Sequence, residues 1–137
     1  MIAASQPIHT PPIEWAALVE RVNPILARET TVYACPGYIA PALQVVTERR
    51  HLDARLAHPA AWTVDARRDV TELAARRQPI VFIWPAGLPA PAVRTCYDEL
   101  VAAGRDLEKR GYTWRFIQSN GAAAADFRPP SQSPPRR

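Results

Sequence analysis

The sequence predicts an α/β domain of three layers, with three or four mostly parallel strands preceded by an amphipathic helix. Two observations carry this expectation. Helical and strand periods alternate along the chain: a helix, then strand and helix three times over, then a strand. The run PIVFIWP (79–85) is continuously apolar, as a strand covered on both faces must be. Such alternation places helices on both sides of a parallel sheet, joined by right-handed crossovers.

The elements follow in order. Residues 1–10 read as a flexible lead-in. Thr10 can cap a helix begun at Pro11, where a missing N–H is harmless. Trp15, Leu18, Val19, Val22, Ile25 and Leu26 share one face of that helix, and Pro24 should kink or split it. Thr31 to Ala34 read as a short buried strand, ended by Cys35-Pro36-Gly37. A second helix is expected over 42–57, with Ala42, Val45, Val46, Leu52 and Leu56 as its apolar stripe. Arg49 falls on that stripe, so it must be paired or must reach the surface, or else the helix bends near Arg49-Arg50.

Residues 61–66 alternate as a strand would; without them the fold would be α+β with three strands. Asp69 and Glu72 have the spacing of a capping box for a third helix. Pro91 opens the clearest helix, whose stripe is Val93, Cys96, Tyr97, Leu100, Ala103 and Leu107, with Gly111 as its C-terminal stop. YTWRFIQ (112–118) is read as the last strand. The single domain is thus expected over 11–118, and 119–137 as a disordered tail containing proline and arginine.

Composition narrows the function classes. The chain has 137 residues and a net charge of +4, and Lys109 is the only lysine among 17 basic residues. Arginine grips phosphate and carboxylate through paired N–H groups. The N-terminus lacks the basic and apolar regions of a secretory signal, and no apolar run nears the ~20 residues of a membrane helix. A cytoplasmic protein without membrane contact is expected. There is no glycine-rich nucleotide cradle, no metal-ligand spacing and no zinc motif, so no metal and no cofactor is expected. Asp65, Asp69 and Glu72 could in principle share a metal; capping explains them more simply.

Two candidate surfaces remain. PGYIAPAL (36–43) and PAGLPAPAV (85–93) both follow strands and lead into helices at a proline. In a parallel sheet they lie at the carboxyl ends of the strands, where open α/β sheets bind ligands. That surface would gather Cys35, Tyr38, Asp65, Arg67, Arg68, Asp69 and Trp84. Cys35 is the candidate nucleophile there, with Arg67 or Arg68 favouring its thiolate. The simpler reading is a small buried hydrophobe, because no CxxC and no histidine partner accompany it.

The second surface is built from arginine doublets: Arg49 and Arg50, Arg67 and Arg68, Arg76 and Arg77. On one side of the domain they would form a basic patch, with tryptophan beside it to stack on bases. The favoured function is therefore non-catalytic binding or regulation, contacting an acidic protein surface or nucleic acid through an arginine-bearing face. The alternatives are a Cys35-dependent thiol enzyme and a small-ligand binder at the carboxyl ends of the strands.

Overall fold

The computed structural model of the chain describes residues 14–86 and 91–130. The expected helix start at Thr10-Pro11 lies outside them. Helix α1 runs Trp15–Val22 and buries Trp15, Leu18, Val19 and Val22, the expected face. Pro24 then divides it from a single tight turn, Asn23–Ile25. Strand β1 is Thr31–Ala34 and helix α2 is Ala40–Arg49.

The expected single helix over 42–57 is broken. His51 has a positive φ of 55°, which ends α2, and the Asp53 carboxylate accepts the Arg55 N–H to cap a new short helix, α3 (Ala54–Ala57). The buried face of α2 carries Leu43 and Thr47, while Val45 is half exposed and Arg49 faces solvent. Strand β2 holds only Ala60–Ala61, so the expected strand over 61–66 shortens and shifts. Helix α4 (Ala66–Ala75) begins three residues before Asp69, and the capping box is not used. Strand β3 (Ile80–Pro85) is buried along its whole length, as its apolar run requires. Helix α5 spans Pro91–Lys109, and Gly111 follows it at φ +91°.

The expectation of mostly parallel strands is corrected. Among the described residues, five strands form one mixed sheet in the order β2-β1-β3-β5-β4. Only two pairs are parallel, β1 with β2 and β1 with β3. β4 (Thr113–Ser119) and β5 (Ala122–Arg128) form a hairpin, and β5 inserts antiparallel between β3 and β4. The antiparallel pairs hold most of the paired residues.

The cause is local. Asn120 and Gly121 have φ of 46° and 85°, the positive pair that a two-residue hairpin loop needs. The expected tail from 119 is corrected with it: residues 122–128 are an inner strand, and 131–137 lie outside the described residues.

Alanine explains why β5 fits there. Helices cover both faces of the inner strands. Ala122 and Ala124 face α1, α2 and α3 across a core that includes Leu18, Leu43 and Ile83. Ala123 and Ala125 face α4 and α5 across a core that includes Val70, Phe82 and Leu100. The layers are therefore helix, sheet, helix. Among the described residues no helix is long and apolar enough to cross a membrane.

Candidate functional site

The direction of the helices decides where charge collects. α2 follows β1, α4 follows β2, and α5 follows β3. Each runs back along the sheet and ends where β1 and β3 begin. β5 ends and β4 begins at this same amino end. The Tyr112 hydroxyl donates to the Gln78 carbonyl at 2.7 Å, and Arg128 donates to the Ile25 carbonyl, which ties these loops together.

Cations near helix C-termini meet unpaired carbonyls and the negative end of the helix dipole, so basic residues settle there. Here Arg49 and Arg50 end α2, Arg76 and Arg77 end α4, and Lys109 and Arg110 end α5. Arg28 joins them from the turn before β1. All seven are exposed. Arg50 pairs with Glu20. No other ion pair involves these seven among the described residues.

The carboxylates nearby are mostly engaged. Glu48 accepts from Gln44, Asp53 holds Arg55 through both oxygens, and Glu108 accepts from the Trp114 indole. The hydrogen bond from the Arg55 side chain holds the Asp53 carboxyl below its ordinary range. Glu29 is exposed.

The structure thus brings four of the six expected arginines to one end. Arg67 and Arg68 stand apart from them in the first turn of α4. There they are paired, Arg67 with Asp106 at 2.8 Å and Arg68 with Asp65 at 3.4 Å.

The carboxyl-end surface does not assemble as a reactive site. Cys35 is fully buried and bonded to Cys96 on α5, with their Cα atoms 5.8 Å apart. A nucleophile must be an accessible thiolate, and Cys35 is neither. Tyr38 is exposed, and Asp65 is taken up by Arg68. Burial pushes the Tyr33 phenol above its ordinary range, and the Asp69 charge adds to this. Trp84 is buried in the same core cluster as Cys35, and its other side lines a groove. No group of three His, Cys, Asp or Glu residues that could hold a metal ion occurs among the described residues.

That groove is the feature sequence reasoning missed. β4 is the outermost strand, and α5 lies over β3 and β5, so the face of β4 beside α5 is left open. Trp114 and Phe116 stand two residues apart on that face, 47% and 50% exposed. Trp84 forms the floor, with its ring centroid 5.7 Å from that of Tyr97 and 6.0 Å from that of Phe116. Gly104 lets α5 approach, since a Cβ there would lie 3.0 Å from the Phe127 ring. The cleft between α5 and β4 measures about 270 Å³. The signal in the sequence was the polar pair Arg115 and Gln118 among the aromatics of β4, which suits an edge strand.

Comparison with known proteins finds no matching family model, no matching curated protein and no matching solved structure.

Proposed function

We propose that this is a non-catalytic binding protein that takes a polyanionic partner, an acidic protein surface or a nucleic acid, on the amino end of its sheet. The observation that carries the reading is the convergence of Arg28, Arg49, Arg50, Arg76, Arg77, Lys109 and Arg110 there, six of them without an ion pair among the described residues. Exposed guanidinium groups on three helix ends and a turn make a charged surface rather than a pocket. Such a surface attracts an extended anion, and each guanidinium can hold a phosphate or carboxylate through two N–H donors. Arg67 and Arg68 stand outside this surface and serve structure.

A cytoplasmic setting belongs to the same proposal. The Cys35–Cys96 bond weighs against that setting, because a reducing compartment would hold the pair as thiols; thiol titration of the protein as isolated from its host decides between them.

The binding reading is tested with inorganic polyphosphate as probe. A variant with Arg49, Arg50, Arg76 and Arg77 all replaced by serine is expected to lose binding. The Arg67→Ser, Arg68→Ser variant is expected to keep it. Equal binding by both variants sinks the assignment to the amino end.

A further inference from the structure

Resting on the binding role proposed above, we propose that the partner is a single-stranded nucleic acid, with phosphates on the basic end and bases against the aromatic groove between α5 and β4. The two surfaces are continuous. Trp114, at the start of β4, and Glu108, at the end of α5, line the groove's lower end, and Lys109 and Arg110 follow Glu108 directly.

The groove itself is suited to neutral, flat groups. Its charges balance: Arg94 and Arg105 are matched in number by Asp98 and Glu108 on the same helix, and the Glu108 carboxylate accepts from the Trp114 indole. Its exposed rings are backed by others. Trp114 lies on Phe127, and Phe116 and Tyr97 lie against Trp84. Rings held in this way lose little freedom when a base stacks on them. Every base has such a flat face, so stacking tolerates any sequence.

A duplex keeps its bases inside and would offer this protein phosphates only. A second copy of the chain fits less well. Each copy carries +4, and the exposed edge of β4 presents Arg115 and Gln118, which oppose edge pairing.

The test measures anisotropy of a labelled short oligonucleotide of mixed sequence, as DNA and as RNA, against the same sequence as duplex and against inorganic polyphosphate. The proteins are the natural chain and the variants Trp114→Leu and Phe116→Leu, with sedimentation run alongside. The single strand is expected to bind about tenfold more tightly than the duplex and to quench tryptophan emission. Each variant is expected to lose about tenfold in single-strand affinity, with polyphosphate binding unchanged. Phe116 is half exposed, so Phe116→Leu carries the test if Trp114→Leu folds poorly. Equal affinity for all anions, unaffected by either variant, overturns the groove assignment and leaves the basic end standing. Failure to bind any anion overturns both. A dimer that Phe116→Asp disperses gives the groove to a second copy and overturns the inference.

Discussion

The indole of Trp114 lies nearly parallel to the ring of Phe127, with centroids 5.6 Å apart and planes 18° from each other. One ring is half exposed on the outermost strand; the other is buried on the strand beside it. Phe127 therefore joins the core beneath α5 to the open face of the groove. Phe127→Ala should cost about 3–5 kcal/mol through cavity formation. It should also shift Trp114 emission to longer wavelength, as the indole loses its support. Denaturant titration followed by fluorescence measures both. A loss under about 1 kcal/mol would mean the stack does not hold the hairpin to the core.

Arg77 has a φ of 57°, a backbone conformation that costs most residues about 1 kcal/mol relative to glycine. Arg77→Gly should therefore leave the melting temperature unchanged or raise it, while weakening polyanion binding. Stability and binding move apart in this one variant. A lower melting temperature together with unchanged binding would contradict both roles assigned to the residue.

Cys35 and Cys96 close a loop of 61 residues between the end of β1 and α5. Reduction should lower stability by about 2–4 kcal/mol by releasing the unfolded chain. Cys35→Ala should do likewise, with polyphosphate affinity intact. Alkylation of Cys35 should follow reduction and unfolding, since the residue is fully buried. Rapid alkylation of the folded, unreduced protein would restore the nucleophile reading.

Asp53 caps α3 and grips Arg55, which in turn donates to the Ala27 carbonyl at 2.7 Å. Its carboxyl is held below the ordinary value by Arg55. The stabilisation is thus present above the unfolded value of about 4 and is lost as pH falls through the lower folded value. Asp53→Asn should lower stability at neutral pH and flatten the loss on acidification. Parallel pH curves for the two proteins would remove Asp53 from the account.

Parts of the fold were legible because one physical requirement dominates each. Ile80 to Pro85 must be covered on both faces, and the spacing of Val93, Leu100, Ala103 and Leu107 admits only a helix. β5 was hidden by its own solution. Its alanines are small because two helical layers press on them, and alanine carries no strand signature. The pair Asn120-Gly121 was a readable hairpin signal between IQS and AAAAD.

His51 shows the limit for α2: nothing in its local sequence marks the positive φ that ends the helix. The site depends on these choices. Arginine doublets are visible in the sequence, but their meeting follows from helix directions. Trp114 and Phe116 look like core until β5 takes the inner position and leaves β4 at the edge. A chain ending at Gln118, the expected end of the domain, should accordingly fail to fold. A cooperative melt in that truncation would restore the earlier boundary.

The most direct measurement is the salt dependence of single-strand binding between about 50 and 200 mM, for the natural chain and for the variant lacking Arg49, Arg50, Arg76 and Arg77. Single strands lose about 0.7 in logarithmic slope per phosphate contact, so four engaged arginines predict a slope of about −3 or steeper, largely lost in the variant. A slope near zero, or the same slope in both proteins, would contradict the claim that the amino end of the sheet is the binding surface.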